Sequence, residues 1–306
     1  MYHSKKVILF GASKGGDSFI THNQHLKVLA IADNDTQRWG SQLLGIPIIN
    51  PTEIPTYIFD EIIITSQWQD SIISQLVNQL GITRDKITTP SKSNLKPSEA
   101  PFSHPATLAI AQQSLGIISE FLNKNGITAI LDSGSALGVV RDGDLIAWDD
   151  DIDLAVNAPD FDKLILLTSK LLKELPQHPA GKWQATVVTL ANEDVCVNID
   201  LISNNKDELK GIEISLQKRT EHQDRSELVS SAGMFDAPAI HFQNPQAVDF
   251  YGYKVYLPNQ AEEFLTFMYG DWKNPRPETK IQDYDNRHQQ QQADPRSYQI
   301  SKRSIA

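Results

Sequence analysis

The chain has 306 residues, a formal charge of −10 and 40% hydrophobic residues. That is enough for about two domains with ordinary cores, while the acidic balance and the lack of any dense Lys/Arg block exclude a nucleic-acid partner held through its phosphates. Cys196 is the single cysteine, so an internal disulfide is excluded, a reducing compartment fits, and its place in an apolar strand reads as core filler rather than nucleophile.

Lys5-Lys6 leads only into a short apolar run, and no segment approaches bilayer-spanning length. A cytoplasmic location is expected, with peripheral contact at the inner face of the membrane left open. Residues 7–10 read as a fully apolar strand, 11–16 as a glycine-rich turn, 17–22 as the start of a helix and 26–32 as a second strand. That strand ends at Asp33-Asn34-Asp35, and Asp33 follows Gly11 by about twenty residues, near the spacing of a ribose-binding acid in a dinucleotide fold. Gly11, Gly15 and Asp33 are therefore candidate cofactor-binding residues. Ser13 stands where the second glycine of the full G-x-G-x-x-G pattern belongs, so a pyrophosphate cradle and a plain strand-to-helix turn both remain readings of the stretch. Further strands are expected at 46–49 and 61–65, and a helix over 72–80 closed by Gly81. Residues 1–90 thus form a small parallel-sheet domain. With Val7-Ile8-Leu9-Phe10-Gly11-Ala12, Ala32-Asp33-Asn34-Asp35 and Gly45-Ile46-Pro47-Ile48 as the matching pieces, it resembles the Rossmann-like modules attached to sugar-modifying and glycan-assembly enzymes.

Pro, Ser, Thr, Asn and Lys dominate residues 91–106, which read as a linker. Apolar residues at helical period predict a helix over 106–125 ended by Gly126, then a strand over 127–131. That strand delivers Asp132-Ser133-Gly134-Ser135 to the start of another helix, where free backbone N–H groups and the Ser135 hydroxyl can face a phosphate. Arg141 follows on the same unit as a candidate phosphate clamp, a salt bridge to the acids downstream being the competing use.

The acids come next. Asp149, Asp150, Asp151 and Asp153 crowd together directly before the apolar run Leu154-Ala155-Val156. Their mutual repulsion calls for a cation between them. In a strand, Asp151 and Asp153 share one face while Ile152 and Leu154 pack on the other. Oxygen ligands without nearby Cys or His favour Mg²⁺ or Mn²⁺, with positions left for substrate phosphates. A solvated acidic turn is one competing reading; an EF-hand is another, but it fails because Leu154 stands where that loop needs glycine.

Residues 161–175 read as a helix, and 183–190 and 194–202 as strands. A hairpin between the strands would set Asp200 alongside Asp151 and Asp153 in a mixed sheet. Residues 206–235 read as long polar loops offering Lys218, Arg219 and Arg225 to an acceptor. A strand pair at 248–258 then enters a helix over 261–269, and Arg276 and Lys280 follow as further cations. From Gln282 the composition turns toward disorder, with a disordered tail expected over 286–306. The fold class is α/β: a Rossmann-like domain, then an α+β domain with a mixed sheet over 107–285.

The run Gly134-Ser135-Ala136-Leu137-Gly138-Val139-Val140-Arg141, continued by Trp148-Asp149-Asp150-Asp151-Ile152-Asp153, resembles the signature of the LicD, fukutin and fukutin-related proteins on a nucleotidyltransferase fold. The later Tyr-Gly, Val-x-Leu-Pro and Tyr-Gly-Asp-Trp pieces are similar to the C-terminal part of such domains. The resemblance implies a transferase moving a phospho-substituent, such as phosphocholine or a phosphopolyol, from a CDP-linked donor to a glycan or glycolipid hydroxyl. It also implies roles: Gly134, Ser135, Gly138 and Arg141 at the donor, Asp151, Asp153 and Asp149 on Mg²⁺ or Mn²⁺, and Asp200 as third acid at the metal or as base. Two alternatives stand beside it, a nucleotidyltransferase releasing pyrophosphate and a sugar-nucleotide- or partner-binding protein working through the N-terminal module. Exposed sheet edges add the expectation of a homodimer.

Overall fold

The structure, a computed structural model, describes residues 4–12, 14–66, 69–90, 100–230, 233–275, 291–292 and 300–305. The chain divides into two compact units, Met1–Pro97 and Ser98–Ala306.

In the first unit, β1 (Lys6–Phe10) sits at the centre of a sheet whose described strands run β3-β4-β2-β1-β5-β6. The others are β2 (Lys27–Ala32), β3 (Gln42–Leu43), β4 (Ile46–Ile49), β5 (Glu61–Ile64) and β6 (Ile87–Thr88). All pairings are parallel except that of the short edge strand β3. Val7, Ile8, Leu9 and Phe10 are all buried because a central parallel strand is covered on both faces, which is why this stretch is apolar without alternation. Helix α1 (Lys14–His22) follows β1, and α2 (Gln69–Ser74) follows β5. The strand order places β1 where the chain passes from one side of the sheet to the other, the crevice at which such folds take ligands.

The second unit is built on a mixed sheet with a longer path, β14-β15-β7-β8-β11-β10-β9-β17. Its strands are β7 (Ile130–Leu131), β8 (Asp151–Asn157), β9 (Gly181–Leu190), β10 (Glu193–Ser203), β11 (Ile212–His222), β12 (Arg225–Ser230), β13 (Gly233–Pro238), β14 (Gln246–Phe250), β15 (Tyr253–Leu257), β16 (Gln291–Gln292) and β17 (Ile300–Ser304). The helices are α3 (Pro105–Lys124), α4 (Ser133–Arg141), α5 (Ala158–Glu174) and α6 (Ala261–Tyr269). Leu115, Ile118 and Leu122 of α3 and Phe161, Leu164 and Leu171 of α5 join Ile152, Leu154, Ile199, Ile214 and Leu216 in one core. Both expected hairpins are present. Ala191-Asn192 and Tyr251-Gly252 turn them with positive φ at both central residues, the backbone that matches strand twist.

Three expectations need correction or limits. Residues 206–235 are not long loops: they hold β11, β12 and the start of β13, with only 231–232 outside the described residues. Ile212, Ile214 and Leu216 alternate with Glu213, Ser215 and Gln217, so one face reaches the core and the other stays polar. The tail is not wholly disordered, because β17 pairs antiparallel with β9 and Ile305 packs on the core. An edge strand with unpaired backbone groups captures it, and Arg303 seals the contact with two bonds of 2.7 Å to Asp194. Of the expected linker, 91–99 lie outside the described residues, as do Ser13, Arg276 and Lys280. Phe102 is already buried in the second unit's core, and α3 begins at Pro105.

Candidate functional site

The site begins with how α4 starts. Asp132, at the end of β7, takes the N-cap position, and its Oδ1 accepts the Ser133 N–H at 2.7 Å. Its Oδ2 accepts from Nε and Nη2 of Arg219 on β11 at 3.0 and 2.8 Å. Both residues are buried, at 1% and 3% exposure, and the guanidinium lies 4.0 Å from the Phe242 ring centroid while Nη1 donates to the Ser226 carbonyl at 3.1 Å. A buried ion pair holds only when its remaining donors and acceptors are satisfied, and this one is wired on both sides.

Backbone bonds then stitch α4 to the acid-bearing strand. The Asp132 N–H donates to the Asp153 carbonyl at 3.0 Å, and the Asp153 N–H donates to Ser135 Oγ at 2.9 Å. Ser135 is thus buried against β8 as well as lying in the first turn of the helix. Gly134 and Gly138, one helical turn apart, share the face over which the 144–149 segment runs. A Cβ at Gly134 would sit 2.5 Å from Asp149 Oδ2, and one at Gly138 would sit 2.6 Å from the Asp144 carbonyl. The two glycines of the motif therefore let the acidic segment lie flat on α4, with the Asp149 carboxylate against the helix start, where the backbone dipole favours an anion.

Asp149, Asp150 and Asp151 are half-buried and can each bring one carboxylate oxygen within 4.8 Å of the others. Their oxygen-only chemistry fits Mg²⁺ or Mn²⁺ rather than Zn²⁺. The parallel β8–β11 register sets Glu213 opposite Asp151 and Ser215 opposite Asp153, and the β10–β11 register sets Asp200 opposite Glu213. Asp200 therefore does not lie alongside Asp151 and Asp153 as the hairpin reading implied: β11 is inserted between them. Strands about 4.8 Å apart put Glu213 about 5 Å and Asp200 about 10 Å from Asp151 along the row. Gln217, on the same face, donates to Asp153 Oδ1 at 2.7 Å. Cys196, opposite Gln217, donates to Asn198 Oδ1 at 2.9 Å; burial first, then the charges of Glu213 and Asp153, push its thiol pKa far up, so it stays protonated.

Arg141 ends α4, about 10 Å along the axis from Gly134. Its Nε and Nη2 grip both oxygens of Asp142 at 2.8 and 2.7 Å, and its guanidinium lies 5.7 Å from the Trp148 ring, which is 39% exposed. Of the other expected cations, Arg219 is spent on Asp132, Arg225 pairs with Asp236, and Lys218 pairs with Glu193. Asp144 is tied to α3 by Gln112 at 2.8 Å and to the β14–β15 turn by the Tyr251 hydroxyl at 2.7 Å. Sequence reasoning missed Glu213, Gln217 and the Asp132–Arg219 pair. The first two were signalled by the alternation of 212–217, and the cap by an Asp just ahead of a helix; no sequence signal marks the pairing of residues so far apart.

In the first unit, Gly11, Gly15 and Asp33 do converge at the C-terminal ends of β1 and β2. Asp33 Oδ2 accepts the Ala12 N–H at 2.6 Å and Oδ1 the Asp35 N–H at 2.8 Å, while Arg38 bonds the Ala12 carbonyl. A Cβ at Gly15 would collide with the Thr65 carbonyl, and one at Gly16 with that of Gly11. These contacts account for the glycines by the closeness of α1 to the strand ends.

Residues 126–260 match the family model described as LicD/FKTN/FKRP, nucleotidyltransferase domain, and residues 3–88 match the one described as C2185-like, N-terminal. No curated protein matches the chain. Among solved structures, it is similar to the UDP-D-quinovosamine 4-dehydrogenase of Vibrio fischeri, at 21% identity over 30% of this chain and 83% of that one, with a TM-score of 0.25. It is also similar to a myo-inositol dehydrogenase of Corynebacterium glutamicum ATCC 13032, at 16% identity over 93% and 85%, with a TM-score of 0.22. A third is the biliverdin reductase of Synechocystis sp. PCC 6803, at 10% identity over 93% and 96%, with a TM-score of 0.26. With TM-scores this low, the fold rests on strand order and register.

Proposed function

We propose, from the premise that this chain carries a LicD/FKTN/FKRP nucleotidyltransferase domain, that it is a metal-dependent transferase moving a phospho-substituent of the phosphocholine or phosphopolyol type from a CDP-linked donor to a hydroxyl of a cell-surface glycan. The observation that carries the reading is the stitching of a Gly-Ser helix start to an acid-bearing strand through the Ser135–Asp153 and Asp132–Asp153 bonds. It supports a site for phosphate oxygens beside a site for a divalent cation.

Asp149, Asp150 and Asp151, whose carboxylates come together, would hold the cation with Asp153 next to them on β8, and when bound it supplies charge neutralisation at the diphosphate. The first-turn N–H groups of α4 would orient the phosphate beside the Asp149 carboxylate, for which Gly134 leaves room. An acceptor hydroxyl arriving over the β8–β11–β10 face would meet Glu213 or Asp200, either of which can take its proton as the new P–O bond forms. The proton then rests on that carboxyl while CMP leaves with the electron pair of the broken P–O bond. Trp148 and Arg141, whose guanidinium lies against the Trp148 ring, would meet the nucleoside end of a donor. Among the described residues no helix is long and apolar enough to cross a membrane, and a place at the cytoplasmic face of the membrane belongs to the reading.

The test is to incubate the chain with CDP-choline, CDP-ribitol or CDP-glycerol, Mg²⁺ and glycan acceptors, and to follow the nucleotide product. CMP release that Asp153→Asn abolishes is expected. In a parallel incubation with CTP in place of the CDP-linked donor, pyrophosphate release would establish nucleotidyl transfer instead, and turnover unchanged in Asp153→Asn would end the reading.

A further inference from the structure

Asp153 is held at more points than its backbone ladder requires. Its N–H is fixed on Ser135 Oγ and its carbonyl on the Asp132 N–H, so the strand cannot slide or rotate at this residue without breaking the start of α4. What those bonds leave undetermined is the rotation of the carboxylate itself. Gln217 acts on it: two positions beyond Ser215, the residue opposite Asp153, it reaches back along the face of β11 and donates Nε2–H to Oδ1 at 2.7 Å.

We propose that Gln217 is a positioning residue that fixes the Asp153 carboxylate for a divalent cation; the proposal rests on the metal-site reading above. A carboxamide suits this task better than the alternatives. A donor is needed, because a carboxylate free to rotate loses entropy when it ligates. A Lys or Arg would supply the donor but also a positive charge beside the site, repelling the cation and competing for the same oxygens. Gln217 gives direction without charge. Hydrogen bonds that orient ligating carboxylates are typically worth about 10–100-fold in metal affinity.

The experiment is a Mg²⁺ titration by calorimetry and a Mn²⁺ titration by electron paramagnetic resonance on the full chain and on Gln217→Met, Gln217→Lys and Asp153→Asn. Each protein is also melted in EDTA. Gln217→Met is expected to bind either ion about 10–100-fold more weakly while melting in EDTA close to the unaltered chain. Gln217→Lys is expected to bind more weakly still, yet to melt no lower in EDTA, since it exchanges a hydrogen bond for an ion pair with Asp153. This opposite movement of affinity and apo stability is what a merely structural glutamine does not produce. Unaltered affinity in Gln217→Met overturns the inference, as does an affinity loss matched by an equal loss of melting temperature in EDTA. Should Gln217→Met fail to fold, unaltered affinity in Gln217→Lys overturns it. If Asp153→Asn binds metal as well as the unaltered chain, the metal-site reading itself falls and takes the inference with it; loss in Asp153→Asn with none in the Gln217 variants refutes the inference alone.

Discussion

Replacing Arg219 by Met tests whether the buried ion pair with Asp132 holds the start of α4. The substitution keeps an unbranched side chain against Phe242 but leaves a carboxylate that is 1% exposed, without the guanidinium and still accepting the Ser133 N–H. Removing one member of a buried pair costs about 3–5 kcal/mol, because the other charge stays desolvated. Against a total stability of about 5–15 kcal/mol, that is a large share. The double variant Asp132→Asn/Arg219→Met removes both charges, and Asn still serves as an N-cap, so its loss should be well below the Arg219→Met value and far below the sum of the two single losses. Urea unfolding followed by circular dichroism measures all three. A loss under about 1 kcal/mol in Arg219→Met, or losses that simply add, would refute a buried, coupled pair.

Gly134→Ala should cost more in metal affinity than in stability, because the added methyl is directed at Asp149 Oδ2, 2.5 Å away, rather than into the core; a Mn²⁺ titration beside a thermal melt checks this, and unaltered affinity would count against the packing of Asp149 on α4. Glu213→Gln should weaken Mn²⁺ binding more than Asp200→Asn does, since Glu213 is one strand from Asp151 and Asp200 is two; the reverse order would mean that the row is not read by distance. The Arg303 guanidinium holds the Asp194 carboxyl below its ordinary 3.8. A depressed folded pKa stabilises at pH above the unfolded value, and that contribution is lost as pH falls through the folded one. The stability gap between the unaltered chain and Arg303→Gln should therefore be present near neutral pH and shrink below about pH 3.8. It should amount to tenths of a kcal/mol, as the pair is partly exposed. A gap that widens in acid would contradict the linkage.

How much of this was legible in the sequence follows from which interactions are local. The alternation Asp151-Ile152-Asp153-Leu154 does separate ligating from packing side chains, and Gly134-Ser135 does open a helix, because both depend on neighbours in the chain. The order of strands does not. Placing Asp200 beside Asp153 assumed that a hairpin joins the sheet by its nearer strand, whereas the chain continues past β10, turns, and inserts β11 between the two. The polar composition of 206–235 concealed that insertion: on β11 the outward face is Glu213, Ser215, Gln217 and Arg219, which reads as solvated loop until the site they line is known. Arg219 shows the limit most plainly. A residue taken from composition as a surface cation is 3% exposed and braces an Asp that is 87 positions away.

The first unit carries the opposite lesson, that a motif can be present and its residues already engaged. Asp33 stands at the spacing of a ribose ligand, yet each of its oxygens accepts a backbone amide, and the Ala12 bond pulls the glycine turn onto the end of β2. For a ribose diol to bind there, one of those bonds must be exchanged for a sugar hydroxyl, at the cost of leaving a partly buried N–H without its acceptor. Gly15 and Gly16 are likewise needed for α1 to pass the Thr65 and Gly11 carbonyls, whether or not a phosphate approaches. The residues that suggested a cofactor are thus sufficient to build the turn. In α4 the comparable glycine meets a carboxylate instead of a backbone carbonyl, and a glycine that makes room for a charge rather than for a strand end is the stronger sign of chemistry.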